Sequence, residues 1–282
     1  MVWKYYNVAE AVRVERVYSL FERTYGHDYN FAGESHNFWE CVYIESGSIC
    51  VTADGRVHNL TEGDIIFHKP LELHKFFVEG GEDAKILTFS YSLEGDLCHS
   101  IENKVCRLHS QSNAVMQSFL DYLHDEAVRR GIGGDSWGDI SWARTVGEDI
   151  VFSQMVATYI CQLILTLSQS DTDTVTSKAA DAAVFTNAVD YMKLHIDGVP
   201  SVWEIAQEIG ISESGLQRIF DKYAKMGVHK YLVSLKMKTA TELLGQGVSV
   251  CDVARRLGYS SQNYFSAAYR RETGQNPSKV KR

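Results

Sequence analysis

The chain reads as an α+β protein with a strand-rich front and an all-helical back. Three observations predict this. Over about residues 30–89, short β-branched and aromatic runs alternate with turn signals. After about residue 110 the apolar spacing becomes helical. From 184 to 282 the pattern is helical almost throughout, and Pro200 and Pro277 stand only at element boundaries. At 282 residues the expectation is about two domains, each long enough to build a core without disulfides or metals. A composition of 45% hydrophobic and 23% charged residues excludes a disordered chain, a collagen and a coiled-coil rod.

The front strands fall at 41–44, 48–52, 64–67, 75–78 and 85–89, separated by Glu45-Ser46-Gly47, Asp54-Gly55, Glu62-Gly63-Asp64 and Gly80-Gly81. Asp54-Gly55 is a favoured two-residue hairpin turn, because both central positions need positive φ. Short strands at this spacing predict a sandwich or barrel. Beyond them Val115, Phe119, Tyr122, Leu123 and Ala127 suit one helix, and residues 131–137 form a Gly-rich loop. Val156, Ile160, Leu163 and Leu167 then make a seam able to pack on another helix, a candidate dimer contact or else a face that packs on its own barrel. Residues 169–177 are polar and read as a linker.

The six cysteines, Cys41, Cys50, Cys98, Cys106, Cys161 and Cys251, are scattered and form no C-x-x-C pair. Reduced thiols in a cytoplasm are expected, not a disulfide frame or a zinc knuckle. The opening MVWKYYNVAEAVRVERV carries charges throughout and lacks an apolar core segment, so no signal peptide is expected. The most apolar stretch, 150–167, contains Ser153, Gln154, Thr158 and Gln162 and makes a poor membrane span, so no membrane partner is expected.

The net charge of −8 hides two opposite regions. Residues 184–282 carry 14 basic against 9 acidic residues, a net of +5, while the rest carries 14 against 27, a net of −13. An acidic front with a basic back predicts that only the back meets a polyanion.

The basic region contains an internal repeat. Ile205-Ala206-Gln207-Glu208-Ile209-Gly210-Ile211-Ser212 matches Val253-Ala254-Arg255-Arg256-Leu257-Gly258-Tyr259-Ser260 at an offset of 48. Each copy reads as a short amphipathic helix, a glycine for a left-handed stop, an apolar plug and a serine to cap the next helix. That is the physics of a helix-turn-helix. The second helices align at an offset of 49, with Leu216 and Phe220 matching Phe265 and Tyr269 inward. Their outward faces carry Ser214, Gln217, Arg218 and Asp221 in one copy, and Gln262, Asn263, Ser266, Ala267 and Arg270 in the other. Gln and Asn pair with adenine edges and Arg with guanine, although such a face also fits a plain solvated helix. Two copies with one corner, in the one basic region, favour DNA. Between them Val228, Tyr231, Leu232, Leu235, Thr239, Ala240, Leu243 and Leu244 form an apolar stripe, closed by Gly245 and Gly247. A long helix there would set the separation of the two reading helices, about 34 Å if they enter successive major grooves.

Over about residues 185–280 these features resemble the AraC/XylS family of transcription regulators. The resemblance rests on Ile205-Ala206, Gly210-Ile211-Ser212, Leu216-Gln217-Arg218-Ile219-Phe220, Tyr231-Leu232, Ala240, Leu243-Leu244, Val253-Ala254, Gly258-Tyr259-Ser260, Tyr264-Phe265 and Gly274-Gln275-Asn276-Pro277. It implies two helix-turn-helix motifs on a linker helix, with base-facing residues at Ser214, Gln217 and Arg218 and at Gln262, Asn263 and Ser266, joined by Arg270 on the outward face. Lys225 departs from it, standing where a glycine usually ends the first recognition helix. Residues 1–110 resemble, more loosely, the cupin-like sensing arm of this family, through His36-Asn37-Phe38-Trp39-Glu40, Gly47, Gly63-Asp64 and Pro70-Leu71-Glu72-Leu73-His74. It implies that His36, Glu40 and His74 point into a barrel.

The expected organisation is a cupin-like ligand-sensing domain at 1–110, a helical linker and dimerisation region at 111–183, and a double helix-turn-helix DNA-binding domain at 184–282. Expected partners are double-stranded DNA, a small-molecule inducer, a second copy of the chain and RNA polymerase. His36, Glu40, His74, Trp39 and Tyr43 are the candidate ligand residues, within a supply of aromatics that also includes Phe31, Phe38, Phe67 and Phe76. Sugars stack on such faces, so a carbohydrate is the expected inducer. Asn37-Phe38 stand where a second metal-binding histidine would be needed, and no metal or cofactor is expected. Two readings stay open beside this one. Two histidines and a carboxylate are a competent metal set, so the front could be a cupin-type enzyme fused to a DNA-binding domain. The front could also be purely structural. Against catalysis, the sequence contains no paired carboxylates, nucleophile elbow or P-loop, so an enzyme is not expected.

Overall fold

The computed structural model describes residues 4, 6–133, 139–169 and 175–280. The chain forms two compact units. The front unit comprises Met1–Phe31, Ser35–Val51 and His58–Thr176, and the back unit comprises Ala32–Glu34, Thr52–Val57 and Ser177–Arg282.

The strands are β1 (Arg13–Tyr25), β2 (Trp39–Ser46), β3 (Ser48–Ala53), β4 (Arg56–Thr61), β5 (Asp64–His68), β6 (His74–Val78), β7 (Ala84–Glu94), β8 (Val105–Arg107) and β9 (Ile140–Ser141). They form a six-stranded sheet ordered β8-β5-β2-β7-β1-β9 and a three-stranded sheet ordered β4-β3-β6. The five strands expected from sequence fall within β2, β3, β5, β6 and β7. Asp54 and Gly55 take φ of 48° and 84°, the conformation their hairpin turn requires. β1 was not expected. It pairs with β7 from Arg13↔Glu94 to Tyr25↔Ala84. Its exposed Glu15, Arg16 and Arg23 interrupt the apolar alternation that marks a strand.

Three helices cover one face of the larger sheet: α1 (Ser110–Arg130), α2 (Ala143–Glu148) and α3 (Ile150–Ser168). Asp149 starts α3 by accepting the Val151 and Phe152 N–H groups at 2.9 and 3.0 Å. Leu20, Cys41, Tyr43, Leu87, Phe89 and Tyr91 of the sheet bury against Phe119 and Leu123 of α1 and Phe152 of α3. Of the two partners open to the seam, its own sheet takes it: Val156, Ile160, Leu163 and Leu167 are at most 1% exposed inside this core, so these four are not free to join a second chain. Its apolar period fits a sheet as well as a helix partner, and the sheet is covalently present. The helix is apolar and long enough to cross a membrane by composition alone, yet these residues lie in the core. The Gly-rich loop and the polar linker expected at 131–137 and 169–177 lie partly outside the described residues.

At the rim of this interface sits a group of four titratable side chains. Lys85 Nζ lies 2.6 Å from Glu22 Oε1 and 3.1 Å from Glu45 Oε2, and His124 Nε2 lies 2.6 Å from Glu22 Oε2. Burial, helped by the neighbouring Glu22 and opposed by Lys85, pushes the Glu45 carboxyl up to about 7.

The back unit contains α4 (Ala180–Leu194), α5 (Val202–Ile209), α6 (Glu213–Ala224), α7 (Val228–Gly245), α8 (Val250–Arg256) and α9 (Gln262–Thr273). α5–α6 and α8–α9 are the two copies of the repeat, and α7 connects them. Phe185 of α4 packs on Phe220, Tyr223 and Tyr231 at centroid distances of 4.9, 5.5 and 5.7 Å. Met237, Ala240 and Leu244 of α7 pack with Val253, Leu257, Phe265 and Tyr269 of the second copy.

Local chemistry places the helix ends. Ser201 and Glu204 form a reciprocal capping box at the start of α5. Ser212 Oγ accepts the Gly215 N–H at 3.1 Å and caps α6. The α9 cap is Ser261, not Ser260 as the repeat suggested: Ser261 Oγ accepts the Tyr264 N–H at 3.1 Å. The extra residue of the second copy therefore lies in the turn, which is why the offset grows before the second helix. Lys225 closes α6 with a left-handed φ of 49°, performing the role of the missing glycine. Pro277 opens a short 3-10 turn, Pro277–Lys279, and α9 has already ended at Thr273.

Two predictions follow from these ends and that rim. Gly210 and Gly258 have φ of 76° and 72°; a Cβ on Gly210 would meet nothing within 4 Å, but one on Gly258 would lie 1.7 Å from the Asp197 carbonyl oxygen. Gly210→Ala should therefore cost only left-handed strain, about 1–2 kcal/mol. Gly258→Ala should cost distinctly more in a denaturant titration of the full chain, and equal losses would contradict the packing. For Glu45, the folded carboxyl holds a proton that the unfolded chain releases between the ordinary carboxylate range and about 7. Its contribution to stability is thus lost as pH rises through that window. Glu45→Gln should raise the melting temperature over the parent at pH 8 and lose that advantage at pH 5; an equal offset at both would refute the assignment.

Candidate functional site

Glu40 on β2 lies opposite His68 of β5 and Ser90 of β7, on the sheet face away from the helices. Its Oε2 accepts the Ser90 hydroxyl at 2.9 Å. His74, from β6 of the smaller sheet, brings Nε2 to 3.3 Å from Glu40 Oε1. His36, in the segment before β2, brings Nε2 to 3.7 Å from Glu40 Oε2, a contact too long for a hydrogen bond. The structure thus brings together His36, Glu40 and His74, as expected.

Each imidazole is aimed by its other nitrogen. His36 Nδ1–H donates to the Phe38 carbonyl at 3.0 Å, and His74 Nδ1–H donates to the Glu72 carbonyl at 3.1 Å. Both Nε2 atoms are therefore directed at the carboxylate. Phe38 stacks on His36 with centroids 3.9 Å apart, and Tyr18 stacks on Phe38 at 4.3 Å. Burial is the largest influence on Glu40 and pushes its carboxyl up. The imidazoles of His36 and His74 beside it, and then that of His68, outweigh it and hold the group below the ordinary carboxylate range. Burial, then the neighbouring His74, lowers His68. The cluster is an anion walled by imidazoles.

The donor atoms of His36, Glu40 and His74 lie within 4.8 Å of one another, close enough to serve one metal ion or the hydroxyls of one small molecule. His36 Nε2 is fully buried and has no hydrogen-bond partner among the described residues. Glu22, Glu45 and His124 make a second set of this kind, but the Lys85 ammonium already supplies its positive charge.

Trp39 and Tyr43 are not brought to this cluster. They are 7% and 3% exposed and belong to the core between sheet and helices, where Gln117 donates to the Tyr43 hydroxyl at 3.3 Å. Strand alternation is the reason: Trp39, Cys41 and Tyr43 share one face, and Glu40 has the other. The sequence reading missed His68, Glu72 and Ser90. His68 stacks on His74 at 4.1 Å and donates through Nδ1 to Glu72 Oε1 at 2.6 Å. The signal for His68 was its spacing on β5, four residues after Asp64 on the same strand face.

In the back unit, Ser214, Gln217 and Arg218 are exposed on α6, and Gln262, Asn263 and Arg270 are exposed on α9, with Ser266 half-buried. Gln217 Oε1 lies 3.5 Å from the Val228 N–H, at the junction with α7. Leu216 and Phe220 face inward on α6, as Phe265 and Tyr269 do on α9. The polar and apolar faces of both helices thus divide as the repeat predicted.

Comparison with known proteins matches both units. Residues 16–130 match the AraC-like ligand binding domain and residues 205–282 match a helix-turn-helix domain. The HTH-type transcriptional activator RhaR of Mannheimia succiniciproducens is 22% identical over 247 residues, covering 83% of this chain and 81% of that protein. The HTH-type transcriptional regulator ArgR of Pseudomonas aeruginosa is 33% identical over 93 residues, covering 33% of this chain and 28% of its own length. Among solved structures, an AraC-type DNA-binding domain from Chromobacterium violaceum aligns at 31% identity over 34% of this chain and 86% of its own, with a TM-score of 0.32. The chain belongs to the AraC/XylS family of transcription regulators, with a ligand-binding domain in front and a helix-turn-helix DNA-binding domain behind.

Proposed function

We propose that the protein is a cytoplasmic transcriptional activator, working as a homodimer with RNA polymerase, whose front unit senses a carbohydrate at His36, Glu40 and His74. The observation that carries this reading is the buried His36 Nε2, without a hydrogen-bond partner among the described residues and aimed at a carboxylate held as an anion. An unmet buried polar atom costs about 1–3 kcal/mol, which a ligand group would recover. Neighbouring hydroxyls suit the place: one donates to Glu40 while another bonds an imidazole, and the stacked Phe38 and Tyr18 offer an aromatic flank. The activator sense is also in keeping with the relatives named as activators.

For the ligand to regulate, it must bind one arrangement of the chains better than another. In the DNA-binding half, Ser214, Gln217 and Arg218 read the first half-site and Gln262, Asn263, Ser266 and Arg270 the second, both on one duplex. Arg218, exposed on α6, suits bidentate contact with guanine.

Duplexes enriched from random sequence by the full chain provide the probe. Binding and transcription from the enriched site are then measured across a panel of monosaccharides. A shift with at least one sugar is expected, and superimposable curves with all of them would remove the sensing role. His74→Ala should bind the enriched duplex normally and lose the shift; an unaltered response removes His74 from the site. Arg218→Ala should cost about 1–3 kcal/mol on the enriched duplex and relax discrimination at one position. A uniform loss on all sequences would place Arg218 on phosphate instead.

A further inference from the structure

The apolar stripe of α7 contains a residue that the sequence pattern did not mark. Lys236, near the middle of the helix, is 4% exposed. Its ammonium donates to the Gly198 carbonyl at 2.6 Å and to the Leu257 carbonyl at 2.8 Å, and lies 5.5 Å from the centre of the Tyr259 ring. These groups belong to different motifs. Gly198 lies in the connection that leads from α4 into the first helix-turn-helix, three residues before the Ser201 cap. Leu257 closes α8, and Tyr259 is the plug of the turn in the second helix-turn-helix.

The same three segments touch independently of the lysine. The space a Cβ would fill at Gly258 is occupied by the Asp197 carbonyl, and Ile196 packs against the apolar core of the second motif. An ammonium is costly to bury, and it stays only where hydrogen bonds replace its water. Burial lowers the Lys236 amine from its ordinary value and the charge of Asp197 partly restores it. A leucine or methionine would fill the volume more cheaply but would leave two carbonyl oxygens without a donor. Lys236 is therefore placed to do something an apolar residue cannot.

We propose that Lys236 is a positioning residue that clamps the entrance of the first helix-turn-helix to the turn of the second, and so fixes the spacing and rotation at which the two recognition helices meet DNA. It touches no base and no phosphate. It acts through α7, converting two adjacent motifs into one rigid reader. The proposal rests on the reading that both recognition helices engage one duplex. Each base pair inserted between two half-sites rotates the second by about 35° and moves it about 3.4 Å, so a rigid reader must reject such sites while a loose one tolerates them.

The test uses the full chain and a duplex enriched by it, with versions carrying one or two base pairs inserted between the protected half-sites. Wild type should lose about tenfold or more in affinity with two inserted pairs, because a stiff link between two modules punishes a mismatch in span. Lys236→Met keeps the aliphatic stem and removes both donors. It should bind the uninterrupted duplex more weakly and tolerate two inserted pairs to within about threefold. Lys236→Arg keeps the charge and several donors, and should restore the discrimination. A folded Lys236→Met protein that still discriminates as wild type does overturns the proposal, while leaving two-helix reading intact. If wild type itself is indifferent to the insertions, the two-helix reading falls and the proposal with it. Should Lys236→Met fail to melt cooperatively, Lys236→Gln takes its place: its shorter amide should relax the discrimination, and wild-type discrimination in that variant overturns the clamp.

Discussion

Successive side chains of a strand leave on opposite faces, and the front unit depends on how β2 uses that constraint. Trp39, Cys41 and Tyr43 go to the helices and join the core with Phe119 and Val156. Glu40, between the first two of them, goes the other way, to His36, His74 and Ser90. One strand therefore anchors the scaffold with its odd positions and presents a carboxylate with an even one. The larger sheet can be rigid because α1 and α3 bury its far side, and the polar cluster inherits that rigidity. A buried anion keeps its charge only if its neighbours are fixed, and here the carbonyls of Phe38 and Glu72 fix both imidazoles.

The back unit solves a different problem. Each recognition helix is defined locally, by a left-handed residue that stops the helix before it and a serine that starts it. Local rules place a helix relative to its own partner helix. They do not place one motif relative to the other. That second task falls to α7, which shares a core with the second motif through Met237, Ala240 and Leu244 and meets the first through Tyr231 and Phe220. Lys236 sits where those two contacts hand over.

Much of this was legible in the residues, for physical reasons that differ from one element to the next. The strands β2, β3, β5 and β7 announced themselves because they are apolar and flanked by glycine turns. The two corners were legible because left-handed stops and serine caps use few residue types. β1 was hidden by its charges: Arg13 and Arg23 lie exposed beside Glu94 and Asp139, and Glu22 is buried against Lys85. The α3 seam was legible as apolar while its partner stayed open between a second chain and its own barrel, since periodicity identifies a buried face but not what buries it. Trp39 and Tyr43 were misassigned by type: aromatics suit a sugar, but their parity with Cys41 sends them to the core. Lys236 could not be found from pattern, because a lysine within an apolar stripe reads as an interruption until its carbonyl partners are seen.

The division of labour along β2 also bears on how such a regulator diversifies. Replacing a side chain on the polar face of β2 leaves the hydrophobic contacts of Trp39, Cys41 and Tyr43 on the other face in place, so the two faces of one strand can change separately.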